Sequence, residues 1–195
     1  MKKFLILVIV LLSNHLSYGQ NEHKVFITYG ISNAMPAYNH NGVAGGGSYD
    51  GTGSFSVGLR YFAKSNIPIT FETGLDYATH KYNRRPAFYP GLDMSPKPEE
   101  LHLVSVPVYA NLTFLKYVFV NGGALIDFEI NKENSIQKQS GIGFGLGIGG
   151  KYDFKRFSVM VNPFFQRHAF LAFEKTDTRL SLLNAGVRIG LGYSF

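Results

Sequence analysis

The C-terminal stretch Leu183–Phe195, with the sequence LNAGVRIGLGYSF, decides how the rest of the chain is interpreted. Its odd positions are all apolar, whereas its even positions carry glycine, asparagine, serine and one arginine, Arg188. A strict two-residue period is typical of a β-strand, because successive side chains point to opposite faces. A soluble barrel encloses its bulky apolar side chains, whereas a membrane barrel turns them outward to lipid. The small, polar second face of this strand favours the membrane arrangement.

The same period recurs along the chain and predicts an all-β fold, an eight-stranded antiparallel up-and-down transmembrane β-barrel. The predicted strands are Val25–Ser32, Gly53–Phe62, Ile67–Lys81, Leu101–Phe114, Val118–Ile130, Gly141–Tyr152, Phe157–His168 and Leu183–Phe195. Phe26 is off the pattern of the first strand. Pro107 has no N–H for the sheet ladder, so we expect a local bulge in the fourth strand.

The connections alternate in length. Long loops are predicted at Asn33–Thr52, rich in glycine and asparagine, and at Tyr82–Glu100, rich in proline and charge. The turns after strands two, four and six are short. Short periplasmic turns and longer outer loops are typical of outer-membrane barrels, so both ends of the mature chain are expected on the periplasmic side. An even strand number allows closure without an open edge.

The N-terminus resembles a secretory signal. Lys2 and Lys3 precede a short apolar run, and Ser17 and Gly19 occupy the −3 and −1 positions of a cleavage site before Gln20. The alternative is an uncleaved anchor, but the run is shorter than the about 20 residues of a membrane helix. We therefore predict a signal peptide over residues 1–19, an outer-membrane barrel domain over residues 20–195, and export to the cell outer membrane.

Composition excludes several classes of function. The chain has no cysteine, which excludes disulfides, thiolate metal sites and a cysteine nucleophile. Its net charge of +6 is scattered and includes Lys2 and Lys3, so it does not form the basic stripe of a nucleic-acid-binding protein. No nucleic-acid partner and no cofactor are expected.

Charged residues on the predicted inner face form the candidate site. We expect them to pair across the lumen, because an unpaired buried charge costs several kcal/mol. This predicted lumen charge network consists of Arg60, Glu72, Asp76, Asp127, Glu129, Lys151 and Arg188. Arg60 and Glu72 lie at similar depth on adjacent strands and are the first pair expected. Inward glycines would leave room for long side chains from facing strands. The alternative, a proton or ion path, needs a continuous column of water.

Three other patterns indicate chemistry only weakly. Gly145–Gly150 matches GxGxxG, but a nucleotide loop needs a strand-to-helix transition that is missing here. His80, His102 and His168 are predicted near the outer rim, where we expect solvated side chains rather than metal ligands. Outer-membrane lipid A deacylases carry a His-x-Ser element near the rim, whereas this chain has His168-Ala169-Phe170 and therefore lacks the nucleophile.

Residues 20–195 resemble the small outer-membrane β-barrel domain family of Bacteroidetes, which is similar in architecture to the eight-stranded outer membrane protein A and X barrels. The resemblance is carried by Gln20 after the signal, the Val104–Val108 strand, the glycine-alternating sixth strand and the terminal aromatic residue. It implies that the end of the chain, with Tyr193 and Phe195, is the signal read by the barrel-assembly machinery. Members of the family mostly have no assigned activity.

These observations favour a structural or surface-interaction role through the outer loops, with a lumen filled by side chains. The expected partners are outer-membrane lipid, the barrel-assembly machinery and an extracellular ligand or protein, and we expect a monomer. The alternatives are a small channel or transport protein, a lipid-modifying enzyme and a soluble secreted β protein.

In a membrane, the outward tyrosines would form interfacial girdles. They are Tyr61, Tyr77, Tyr152 and Tyr193.

Overall fold

In the described part of the chain, eight antiparallel strands form a closed barrel. The computed structural model describes residues 23–38, 47–63, 65, 69–87, 90–91, 93–114, 116–131, 136, 138–174 and 180–195, so the predicted signal peptide lies outside the described residues. The strands are β1 (Lys24–Tyr38), β2 (Ser48–Ala63), β3 (Ile69–Arg85), β4 (Lys97–Phe114), β5 (Val118–Glu129), β6 (Gly141–Phe154), β7 (Phe157–Ala172) and β8 (Leu180–Ser194). No helix in the described ranges is long and apolar enough to cross a membrane.

Each strand pairs with the next along the chain, and β8 pairs with β1 to close the ring. The β1–β8 register runs without a shift from Lys24 opposite Ser194 to Tyr38 opposite Leu180. Closure gives every strand two hydrogen-bonded neighbours, so the barrel has no unpaired edge. The predicted fold class is confirmed.

The inner and outer faces follow the two-residue period. In β8, Arg188 is buried inside the barrel, whereas Ile189 and Leu191 are 53% and 57% exposed on its outer wall. Phe26, off pattern by residue type, lies on the inner face of β1 and is 3% exposed. The structure therefore has the apolar-outside arrangement that the C-terminal strand predicted.

The strands extend further than predicted at the end with the long connections. The predicted loop Asn33–Thr52 is partly strand, since β1 continues to Tyr38 and β2 begins at Ser48. Likewise, β3 and β4 take up both ends of the predicted loop Tyr82–Glu100. Cross-strand pairing holds these extensions together, and it overrides the local preference of glycine, asparagine and proline for loops.

Irregular pairing occurs at other positions than the one predicted. The bulge predicted at Pro107 is absent, because the β3–β4 ladder omits the pairs opposite Pro107 and Val106 and then resumes in the same register. A proline removes a hydrogen bond without adding a residue. Register shifts occur instead at Gly51–Gly53, where Gly53 has φ of 124°, and in β7 opposite Gly143.

Candidate functional site

A cluster of four buried charged residues lies in the middle of the lumen. Arg60 is fully buried; its Nη1 donates to Glu72 Oε1 at 2.7 Å and its Nε donates to Asp76 Oδ1 at 3.0 Å. Arg188 Nη2 lies 3.6 Å from Asp76 Oδ2. The two arginines and two carboxylates balance in charge. We call these four residues the central ion cluster.

Polar and aromatic neighbours complete the central ion cluster. Glu72 Oε2 accepts hydrogen bonds from Asn111 Nδ2 at 2.9 Å and from Asn121 Nδ2 at 3.2 Å. The Arg60 guanidinium lies 5.6 Å from the centroid of the Tyr109 ring. Buried charges are tolerated when they are both paired and hydrogen-bonded. Arg60, Glu72 and Asp76 meet both conditions. Arg188 lies within ion-pair distance of Asp76, and its guanidinium is 4.6 Å from the centroid of the Phe164 ring.

Inward glycines provide the space that these long side chains occupy. A Cβ at Gly145 would collide with the Tyr109 hydroxyl, which accepts a hydrogen bond from Gln166 Nε2 at 3.1 Å. A Cβ at Gly58 would collide with the carboxylate of Asp76. The GxGxxG stretch therefore belongs to a strand beside a filled lumen, as its alternating pattern predicted.

An apolar layer closes the lumen at the short-turn end, where β2 meets β3, β4 meets β5 and β6 meets β7. It consists of Phe26, Phe62, Phe119 and Met160. The ring of Phe26 fills the space left by Gly192, where a Cβ would lie 2.6 Å from ring carbons. The absence of a side chain at Gly192 leaves room for the Phe26 ring on the inner face. This explains why β1 has an aromatic residue at an inward position, where small and polar residues are otherwise found.

Lys151 was predicted in the charge network but lies at this short-turn end. Its Nζ donates to Thr113 Oγ1 at 2.8 Å and lies 6.0 Å from the centroid of the Phe119 ring. A separate ion pair joins Lys24 Nζ to Asp153 Oδ1 at 2.7 Å. The inner charges are therefore divided among separate layers, because the stagger of the strands sets their depth.

A second polar group surrounds Asp127, toward the long-connection end. Its carboxylate accepts a hydrogen bond from Ser105 Oγ at 2.5 Å, and its Oδ2 lies 3.1 Å from His168 Nδ1. The rings of His80 and His168 are 5.5 Å apart. Asp127 thus contacts a serine and a histidine rather than the arginines.

The two histidines were expected to be solvated at the rim, and this was wrong. His80 and His168 are 1% and 2% exposed. His168 reaches the lumen beside an irregular segment of β7 in which Ala169 has φ of 47°. His102 lies on the outer wall, where its ring stacks on Tyr77 at 6.0 Å. Within the described residues, no three metal-ligating side chains are grouped as a metal site would require.

A second apolar layer closes the lumen at the long-connection end. It consists of Ala34, Tyr82, Leu101, Leu103, Ile136 and Leu182. Gln139 anchors the β5–β6 connection beneath it: its backbone N–H donates to Glu129 Oε2 at 2.5 Å, and its Oε1 accepts from the N–H of Leu182 at 3.1 Å. Glu129, predicted in the charge network, therefore holds this connection in place.

The sequence analysis did not predict this second apolar layer, although the sequence contains a pattern that indicates it. Leu101 and Leu103 share the parity of Ser105 and Tyr109, which lie buried on the inner face of the same strand. Two leucines at successive inward positions indicate that the lumen changes from polar to apolar toward this end. Ile136 carries no such signal, because it lies between strands.

The outer wall is apolar over most of its height. Exposed large side chains alternate with inward residues on every strand, as in β7, where Phe157, Val159, Val161 and Phe165 are between 41% and 51% exposed. Isolated exposed apolar residues are common on soluble proteins, whereas a contiguous apolar belt of this extent is not. The wall has the character of a surface that faces lipid.

Aromatic side chains encircle much of the short-turn end. Consecutive ring contacts join Tyr117 to Tyr152, Tyr152 to Phe154, Phe154 to Phe157 and Phe157 to Tyr193, with centroids 5.6 to 6.4 Å apart. We call these five residues the aromatic girdle.

His23 and Phe195 continue this arrangement. The ring of His23 stacks on Tyr61 and on Phe195, with centroids 5.7 and 6.1 Å apart. The Phe195 N–H donates to the His23 carbonyl at 3.1 Å. Of the four tyrosines predicted in girdles, Tyr61, Tyr152 and Tyr193 lie at the short-turn end, while Tyr77 lies higher on the wall beside His102.

Two solved structures share this architecture. The outer membrane protein OprG from Pseudomonas aeruginosa matches with a TM-score of 0.56 and 11% sequence identity, over 91% of this chain and 98% of that chain. The outer membrane protein AlkL, determined in DMPC lipid bilayers, matches with a TM-score of 0.58 and 10% identity, over 92% of each chain. Likeness at this identity concerns the fold. No protein-family model and no curated protein matches the sequence.

Proposed function

We propose that this chain is an integral outer-membrane barrel that is not an enzyme and acts as a structural or surface-interaction protein through its outer end. The observation that carries the proposal is the filling of the lumen: a charge-balanced ion cluster lies between two apolar layers. An open channel for ions or polar solutes would need a continuous polar path, and both apolar layers interrupt such a path. About eight strands enclose only as much space as side chains can fill.

Membrane residence is supported by the outer wall and by the shared fold. The apolar belt would face water in a soluble secreted protein, at a cost of about 25 cal/mol for each Å² of apolar surface left exposed. Aromatic girdles mark the interface of membrane barrels, and such residues surround the short-turn end here. The resemblance to the Bacteroidetes family, with Tyr193 and Phe195 as the assembly signal, belongs to the same proposal.

The outer end offers a charged surface for contacts. On the extensions of β2, β3 and β4, Arg85 Nε lies 2.9 Å from Asp50 Oδ2 and Arg84 Nε lies 3.3 Å from Glu99 Oε1. These pairs are at least partly exposed and lie beyond the apolar belt. These ion pairs hold the extended strands in place. An extracellular ligand or protein would therefore bind to an ordered backbone that carries charges of both signs.

Two measurements test this function together. Folded barrel in membranes should resist SDS until it is boiled, so its mobility on gels should depend on heating. The same protein in planar bilayers should give no steady conductance, with a general porin as positive control. Loss of the protein from the membrane fraction would refute the location, whereas stable openings would make the channel alternative the better assignment.

A further inference from the structure

An open groove of about 360 Å³ lies on the outer wall near the short-turn end. It crosses the outward faces of β5, β6 and β7, and the residues that border it are mostly apolar. Its lining includes Tyr117, Gly150, Tyr152 and Val159, together with Lys151, whose Nζ donates to Thr113 Oγ1. The groove therefore lies inside the belt that would face lipid.

A single outward glycine forms the groove. Gly150 follows the outward Ile148 and precedes the outward Tyr152, where the strand would ordinarily present another large side chain. A Cβ at Gly150 would meet nothing nearer than the Tyr117 carbonyl oxygen at 3.9 Å. Inward glycines such as Gly145 have the space above them filled, whereas the space above Gly150 is empty. The stacked rings of Tyr117 and Tyr152 border it, 5.7 Å apart.

Cationic side chains stand at the short-turn end of this groove. Lys116 precedes Tyr117, and its Nζ lies 5.5 Å from the centroid of that ring. Lys155 and Arg156 form the β6–β7 turn, beyond the outward pair of Tyr152 and Val159. All three cations are exposed. The acidic residue of the same hairpin, Asp153, is held by Lys24, so the rim is cationic.

The two lysines occupy backbone positions that suit other residues better. Lys116 has φ of 66° and Lys155 has φ of 57°, in the left-handed region that favours glycine and asparagine. Glycine would be easier for the backbone in both turns. The chain has a long cationic side chain at each instead, directly below the aromatic girdle.

We propose that the groove binds one phospholipid with a net negative headgroup, such as phosphatidylglycerol. An acyl chain lies over Gly150 between Tyr117 and Val159, and the phosphate meets Lys116 and Lys155 at the rim. The inference rests on the proposed membrane location. Charge complementarity selects the anionic headgroup, because each lysine near the membrane surface strengthens attraction to anionic lipid about fivefold.

A second groove on the wall distinguishes selective binding from general contact with lipid. It has a volume of about 410 Å³ and is bordered by β1, β2, β7 and β8, with no lysine or arginine in its lining. Its lining residues, among them Tyr29, Val57 and Ile189, lie within the strands rather than at their turns. It offers acyl contacts without a partner for a phosphate, so it would not distinguish anionic from neutral headgroups.

The test is native mass spectrometry of the full chain in equal mixtures of phosphatidylglycerol and phosphatidylcholine. Wild type should retain one phosphatidylglycerol with a preference of about tenfold or more, given two lysines at the rim. Lys116→Gln combined with Lys155→Gln should bring the preference close to one. Gly150→Leu should fill the groove and lower retention of both lipids. Lys81→Gln combined with Lys97→Gln removes the same charge from the opposite end and should leave the preference unchanged.

The outcomes separate this inference from the proposed function. Heat-dependent gel mobility establishes which variants are folded, and the two glutamine pairs change only exposed side chains. Wild type that is folded and membrane-bound but retains both lipids equally would refute the lipid site alone. An equal loss of preference in the Lys81 and Lys97 control would mean that net charge alone sets the preference for phosphatidylglycerol. That outcome would also refute the lipid site. A wild-type protein that is not found in membranes would refute the proposed function, on which the lipid site rests.

Discussion

Replacing Glu72 with glutamine tests most directly whether the lumen is dry. Glu72→Gln keeps the size of the side chain and removes one negative charge from the central ion cluster. Arg60 would then lose its 2.7 Å partner, and the two arginines would share only Asp76. The glutamine amide would also face the amide donors of Asn111 and Asn121, which now point at Glu72 Oε2.

The magnitude follows from burial. Arg60 and Glu72 have side chains that are 0% and 2% exposed. Breaking such a pair leaves an uncompensated buried charge, which costs about 3–5 kcal/mol of unfolding free energy. A solvated pair would cost about 0–1 kcal/mol. The difference is large enough to separate a filled lumen from a water-filled one.

The unfolding free energy can be measured by denaturant titration of the barrel in lipid vesicles. The chain contains no tryptophan, so circular dichroism and gel mobility are suitable probes. Lys81→Gln is the matched control, because the Lys81–Glu100 pair is 51% and 50% exposed and should cost about 1 kcal/mol or less.

A double substitution checks the charge argument independently of shape. Glu72→Gln combined with Arg60→Met restores charge balance with Asp76 and Arg188. We expect it to be much less destabilised than the sum of the two single variants, because each single variant leaves one charge in excess. A cost for Glu72→Gln as small as that of Lys81→Gln, or strict additivity in the double variant, would refute the dry ion cluster.

Three further outcomes are expected. Gly145→Val should destabilise the barrel by about 1–3 kcal/mol in the same titration, because any Cβ there meets the Tyr109 hydroxyl. The control is Gly150→Ala, on the open outer face, and equal costs for the two variants would contradict the assignment of Gly145 to a filled lumen. Val187→Arg, on the outer wall at mid-strand, should cost about 2–4 kcal/mol in lipid, and a neutral effect would contradict a lipid-facing wall. Deletion of Phe195 should lower the amount of protein in the outer membrane, measured by fractionation and immunoblotting, and unchanged levels would contradict the proposed role of this residue in assembly.

The arrangement of strands was largely predictable from the sequence because it depends on a local property. Alternation in β8 separates Arg188 from Ile189 whatever the other strands do, and the same holds for each strand in turn. The Arg60–Glu72 pair was also predicted, since neighbouring strands joined by a short turn have a register that the turn restricts. The lengths of the strands were not predictable, because the glycine-rich sequence around Asp50 indicates a loop until its pairing with β3, including the ion pair with Arg85, is known.

Contacts across the lumen depended on the tertiary structure. The same parity put Asp127, Lys151 and Arg188 on the inner face, but parity does not give depth. Closing the barrel staggers the strands, so residues at similar positions along their own strands lie at different heights. Arg188 therefore meets Asp76, Lys151 lies near Thr113, and Asp127 meets His168.

The sequence by itself determined the strand pattern, the inner and outer faces and the apolar wall, because each follows from a two-residue period within a single segment. Only the tertiary structure decided what fills the lumen. Ile136 reaches the second apolar layer from a connection between strands, and the groove over Gly150 is bordered by Tyr117 from the β4–β5 turn and by Val159 from β7. Packing between distant segments depends on closure and stagger, and no local pattern encodes either of them.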